Sequence, residues 1–127
     1  MAAGASARQT AAVEALTLRS YERVLELGCG HGVAASLVCQ RLTGSGCLVA
    51  IDRSPKMIAA GMARNVEHVA SGRATFLCTS LEEADFGDER FDVVFGVHFP
   101  PADRHDPEGT RERVSRLLAP GGRVLFF

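Results

Sequence analysis

The sequence predicts an α/β domain: a parallel five-stranded sheet in the order 3-2-1-4-5, with helices covering both faces. Five short apolar runs alternate with segments of ten or more residues whose apolar positions recur at helical spacing, and parallel neighbours need connections of that length. Right-handed crossovers then put the first strand at the centre and helices on both sides. Composition agrees: 127 residues, 46% hydrophobic and 23% charged, describe a soluble globular chain with one core.

Each element has a local reason. The Ala-rich lead "MAAGASARQTAAVEALTLRS" reads as a helix starting near Ser6, with Ala12, Val13, Leu16 and Leu18 on its apolar side. Residues 1–20 are therefore taken as a helical lead and residues 21–127 as the main domain. Arg23 to Leu27 is a buried strand ended by glycines, and His31 to Leu42 carries a helical stripe of Val33, Leu37, Val38 and Leu42. "TGSG" stops that helix, and Cys47 to Asp52 is the second strand. Ser54 as cap and Pro55 in the first turn open a helix with a Met57, Ile58, Gly61, Met62, Val66 stripe, running up to Ser71-Gly72. Ala74 to Cys78 and Phe91 to Val97 follow as strands, then a helix through "DPEGTRERVSRLL" and a fifth strand over Arg123 to Phe127. The run "RVLFF" ends the sequence as an apolar edge, which predicts either a covering partner, such as a second copy in a homodimer, or further strands in a longer parent.

Bulk properties exclude several classes. Fourteen basic residues nearly cancel fifteen acidic ones, so no nucleic acid or charged membrane surface is indicated. The apolar runs are too short to cross a bilayer, and the amino terminus lacks a signal-peptide core, which favours a cytoplasmic protein. Cys29, Cys39, Cys47 and Cys78 form no CxxC pair and no zinc spacing; they read as reduced, small buried hydrophobes, and no metal site is expected.

The chemistry is expected where the strand order reverses, at the carboxyl ends of the first and fourth strands. There "VLELGCGHG" brings Gly28, Gly30 and Gly32 into a turn that lets a ligand lie against bare backbone. Glu26, near the buried end of that strand, is costly unless it meets a cation or several donors. It would repel a pyrophosphate and welcome an ammonium or sulfonium. Asp52 ends the second strand, where its two oxygens can accept from adjacent ribose hydroxyls; the plainer alternative is a cap on the next helix through Ser54. A nucleoside with a cationic amino-acid tail satisfies both acids, and S-adenosylmethionine is such a molecule.

Four stretches resemble motifs of the class I S-adenosylmethionine-dependent methyltransferases, whose fold is Rossmann-like: "VLELGCGHG", "VAIDRSPKMI", "FDVVFGVHF" and "RLLAPGGRVLFF". Together they span Arg23 to Phe127 in the family's order, without the antiparallel strands that finish the family's sheet. The resemblance implies that Glu26 and the backbone from Gly28 to Gly32, Cys29 and Gly30 included, hold the methionine moiety. It implies that Asp52 binds the ribose, that Arg53 and Met57 lie near the adenine, and that Val97 lies beside the methionine arm. Ser80 and Leu81 fall where the family often has an acid and an apolar residue at the adenine amino group; with Ser80 in place of the acid, a hydroxyl or the Leu81 backbone takes that task. His31 shapes the loop or meets the cofactor carboxylate.

Methyl transfer from a sulfonium asks mainly for alignment, so a base matters only for some acceptors; His98 is the candidate. The loop "HFPPADRHDPEG" lacks the Asn before its prolines and the aromatic after them that mark amino- and amide-directed enzymes, so a nucleic-acid base or glutamine amide is not supported as acceptor; a small molecule is the default, with protein and RNA left open. Two rivals remain. One is a binding or interaction module that holds the cofactor without turnover. The other is an NAD(P)-dependent oxidoreductase, disfavoured because Val33 stands where that fingerprint wants Gly or Ala and because Glu26 would face phosphate.

Overall fold

The computed structural model describes residues 6–97 and 107–127. Its elements are α1 (Ala7–Ala15), β1 (Arg23–Leu27), α2 (Val33–Arg41), β2 (Cys47–Asp52), α3 (Pro55–Arg64), α4 (Val66–Ala70), β3 (Ala74–Cys78), β4 (Phe91–Gly96), α5 (Pro107–Leu117) and β5 (Leu118–Phe126). The strands form one sheet in the order β3-β2-β1-β4-β5, every adjacent pair parallel. That is the predicted order.

Strand alternation divides the interior in two. Val24, Leu48, Ala50, Phe76, Val93 and Phe95 pack on one face against Val13, Leu16, Ala35, Val38 and Ile58 from α1, α2 and α3 and their flanks. Leu25, Leu27, Val49, Ile51 and Val94 pack on the other, with Leu81 and with Val114 of α5. The amino-terminal helix thus shares the core of the sheet. Ser6 caps it in a reciprocal box with Gln9.

A second tie holds that helix. Arg123 of β5 donates to both carboxylate oxygens of Glu22 (2.8 and 3.0 Å) and to the Leu16 carbonyl (2.7 Å), bridging 101 and 107 residues of sequence. The Glu22 side chain is 5% exposed, and the hydrogen bond from Arg123 is the main cause holding its carboxyl below the ordinary value.

Several expectations need correction. The segment after Pro55 is two helices, because the buried Asn65 interrupts it: its Nδ2 donates to the carbonyls of Gly32 and Gly61, both at 3.0 Å. Val66, expected on the apolar stripe, is consequently 63% exposed, and Met62 is exposed too. Helix α2 starts at Val33, two residues later than predicted, because Gly32 precedes it in a left-handed conformation (φ 84°). Strand β4 ends at Gly96, and β5 begins at Leu118, five residues early, across a register irregularity between Phe91 and Val93. Of the cysteines, Cys29 and Cys39 are buried, but Cys47 is half-buried and Cys78 exposed. Among the described residues, no helix is long and apolar enough to cross a membrane.

The Arg123 tie yields a measurable expectation. Arg123→Met strands a nearly buried Glu22 carboxylate, and loss of one partner of a buried pair costs about 3–5 kcal/mol. With Arg123 a third exposed, the expected loss is roughly 2–3 kcal/mol in urea unfolding. Adding Glu22→Gln should restore part of it.

Candidate functional site

A cavity of about 390 Å³ opens at the carboxyl ends of β1 and β4, lined by Gln9, Glu26, Gly28, Cys29, Gly30, His31, Val33, Ala34, Asp52 and Val97. Its volume is in the range of small-molecule sites, about 300–1,000 Å³. Both acids singled out in the sequence, Glu26 and Asp52, face this one cavity.

The loop between β1 and α2 is pinned to β2. The N–H groups of Gly28 and Cys29 both donate to the Ile51 carbonyl at 2.9 Å, and Gly28, Gly30 and Gly32 all have positive φ. The glycines differ in purpose. A Cβ on Gly30 would meet nothing within 4 Å, so its bare backbone faces open space. A Cβ on Gly32 would come within 2.8 Å of both Asn65 Nδ2 and Gly61 Cα. Gly32 is therefore needed for the close approach of α2 and α3.

Asp52 does two things at once. Its Oδ2 accepts from the Gly30 N–H and its Oδ1 from the Ser54 N–H, both at 2.9 Å. The helix-start role weighed as an alternative is real, through the Ser54 N–H, and it fixes the carboxylate at the cavity rather than withdrawing it. Each oxygen keeps a lone pair for a further donor.

Glu26 is the most unusual group. It lies in mid-sheet register between Ala50 and Phe95 and is only 2% exposed. Its Oε1 is buried without a hydrogen-bond partner. Burial first, and the Asp52 charge second, push its carboxyl up to about 8. Burial also raises the Cys29 thiol, which argues against a nucleophilic role for it.

Comparison with known proteins decides the family. A family model described as "Methyltransferase domain" matches residues 24–122. The chain belongs to the class I S-adenosylmethionine-dependent methyltransferase family. Among its curated relatives, aklanonic acid methyltransferase DauC of Streptomyces sp. (strain C5) is 31% identical over 108 residues, covering 83% of this chain and 47% of DauC. The ubiquinone/menaquinone biosynthesis C-methyltransferase UbiE of Pseudomonas putida (strain GB-1) is 30% identical over 117 residues, covering 90% of this chain and 44% of UbiE. A S-adenosylmethionine-dependent methyltransferase from Geobacter sulfurreducens, solved with S-adenosyl-L-homocysteine, superposes with a TM-score of 0.74 at 25% identity, over 97% of this chain and 48% of that one. The chain thus spans about half the length of these methyltransferases.

Seen as a methyltransferase domain, the structure gathers Glu26, Gly28, Cys29, Gly30, Asp52 and Val97 around the cavity, and His31 with them. It does not bring Arg53, Met57, Ser80 or Leu81 to the cavity lining. Arg53 is exposed, its guanidinium 4.0 Å from the Glu82 carboxylate, and Met57 is half-buried. The Ser80 hydroxyl accepts from the Glu83 N–H and donates to its carboxylate, both at 3.1 Å, while Leu81 packs in the second core. His98 lies outside the described residues. Among the described residues, no group of three His, Cys, Asp or Glu side chains is placed to hold a metal ion.

Gln9 lines the cavity and was not anticipated there. The sequence carries its local signal, Ser6 three residues before a Gln, but that pattern marks only a helix start. Nothing in it reveals that the helix folds against the glycine loop.

A carboxyl raised from 4.5 to about 8 on folding stabilises the folded state fully below pH 4.5 and loses that contribution as pH rises through 8. The ligand-free protein should therefore melt at progressively lower temperature between about pH 5 and pH 8.5. Glu26→Gln should flatten that slope, as read by thermal denaturation followed by circular dichroism.

Proposed function

We propose that this chain binds S-adenosylmethionine in the β1–β4 cavity and, in the whole protein, directs its methyl group to a small-molecule acceptor. The observation that carries the proposal is the unpartnered, buried Glu26 oxygen, in one cavity with Asp52 and the open face of Gly30. A buried carboxyl without a partner is a standing cost that a cationic ligand group removes. The cofactor's α-ammonium and sulfonium are such groups. Two acids would oppose a pyrophosphate, so the same observation disfavours a nicotinamide cofactor.

In this reading Glu26 holds the ammonium and is ionised by it, and the bare backbone at Gly28–Gly30 admits the methionine arm beside Val97. Asp52, held by the Gly30 and Ser54 N–H groups, accepts from the two ribose hydroxyls. Beyond the ribose, the base continues toward Arg53 and Met57. The Ser80 hydroxyl is already engaged by Glu83, so the adenine amino group falls to the Leu81 backbone. When bound, the cofactor supplies an activated methyl whose sulfur loses its positive charge on transfer. The chain contributes binding, orientation and exclusion of water. His98 is proposed as the base for acceptors that must lose a proton.

The small-molecule class is supported by relatives such as aklanonic acid methyltransferase and the ubiquinone/menaquinone C-methyltransferases, named for small organic acceptors.

Calorimetric titration with S-adenosylhomocysteine tests the core of it. Asp52→Ala removes two charge-assisted hydrogen bonds to the ribose, so binding should weaken by about 2–4 kcal/mol with the fold retained by circular dichroism. An unchanged affinity would remove Asp52 from the site. Binding without transfer of labelled methyl to any of a panel of small acceptors would favour a non-catalytic module.

A further inference from the structure

We propose that Gln9, on the amino-terminal helix, is a recognition residue for the carboxylate of the bound amino-acid tail. This rests on the assignment of the cavity to S-adenosylmethionine and adds a residue from outside the glycine loop.

The first argument is charge. Among the described residues, the cavity lining contains two acids, Glu26 and Asp52, and neither Lys nor Arg. A zwitterionic tail whose ammonium sits by Glu26 carries a carboxylate about 2.5 Å further along the same carbon, into an environment already negative. From the described lining it can be met by hydrogen-bond donors other than Lys or Arg. The glycine-loop N–H groups are partly committed: Gly28 and Cys29 donate to Ile51, and Gly30 to Asp52. Among the described lining residues, only Gln9 and His31 carry side-chain nitrogen donors.

The second argument is orientation. The Gln9 amide oxygen accepts from the Ser6 N–H at 3.1 Å and lies 3.2 Å from the Ser6 hydroxyl that donates to it. The capping box thereby commits the amide oxygen to the helix cap. It leaves Nε2, a donor, as the side chain's only group free of the cap; it makes no hydrogen bond among the described residues. A glutamine at the third helical position ordinarily needs only its oxygen, so the surplus donor at a cavity wall is notable.

The third argument is rigidity. Helix α1 is held by the buried Ala12, Val13 and Leu16 and by Arg123, which bonds the carbonyls of Leu16 and Thr17 at its far end. Gln9 is therefore presented from a fixed wall, and the donor needs little ordering on binding. Glu26, one of whose oxygens is buried without a partner, lines the same cavity and points to a charged ligand group there.

The deciding variant is Gln9→Glu. Glutamate preserves the capping box, so the helix and its position survive, but the donor becomes an anion. Gln9→Ala and His31→Ala serve as companions, with thermal melting of each variant checked against the parent. Affinities are measured for S-adenosylhomocysteine and for its decarboxylated analogue, which keeps the ammonium and adenosine. The expected result is a loss of roughly tenfold or more for S-adenosylhomocysteine in both Gln9 variants, with the decarboxylated analogue changed less than about twofold. Equal losses for both ligands, or none, overturn the role of Gln9, as does a carboxylate-specific loss confined to His31→Ala. If the parent protein binds neither ligand, the cofactor assignment fails and this inference with it. Parent binding with unaltered Gln9 variants sinks the inference alone.

Discussion

A carboxylic acid in the middle of a parallel sheet is the constraint around which this domain is organised. Glu26 sits on the central strand, with a neighbour on each side and helices above it, and one of its oxygens has no partner. An apolar residue there would pack at lower cost, since a buried polar group left unpaired costs on the order of 1–3 kcal/mol. That acid lines a cavity whose other acid, Asp52, is held in place by two backbone N–H groups.

The remainder of the fold serves to keep that cavity open and its walls still. The glycine loop is hung from the Ile51 carbonyl, and α2 is brought close to α3 through Gly32, Gly61 and Asn65. Asn65 acts as a staple: its amide satisfies two carbonyls where the helices meet, and it ends α3 in doing so. On the same face of the sheet, α1 packs beside α2 and is tied to the sheet's last strand by Arg123. Both ties include polar contacts made between segments far apart in sequence, Asn65 to Gly32 and Arg123 to Leu16 and Glu22.

This arrangement also explains why membership of a methyltransferase family is compatible with wide acceptor variety. In the proposed site the cofactor's demands fall on backbone geometry and a few acids at strand ends, which a doubly wound sheet supplies at its switch point. The acceptor's demands fall on whatever covers that point. In this chain the described covering element is α1, and the segment after β4 lies beyond the described residues. Function of this kind is grafted on the fold through its loops and additions, so relatives at about 30% identity share the frame and differ in what they methylate.

Legibility followed the range of the interaction involved. Strand order, strand positions and the pairing of Glu26 with Asp52 could be read from sequence, because alternating periods, crossover handedness and an acid after a glycine turn are short-range signals with one compact solution. Asn65 was invisible in the same way that Gln9 was: each is a polar residue whose partner lies across a packed interface, 33 residues away for Asn65. Val66 was misplaced for the same cause, since its helical spacing continued while the helix did not. The amino-acid order by itself determined the architecture and the two acids that face the cavity. Only tertiary packing decided which glycine faces open space and which a neighbouring helix, and which wall Gln9 occupies, because those outcomes depend on distances between segments that no local pattern encodes.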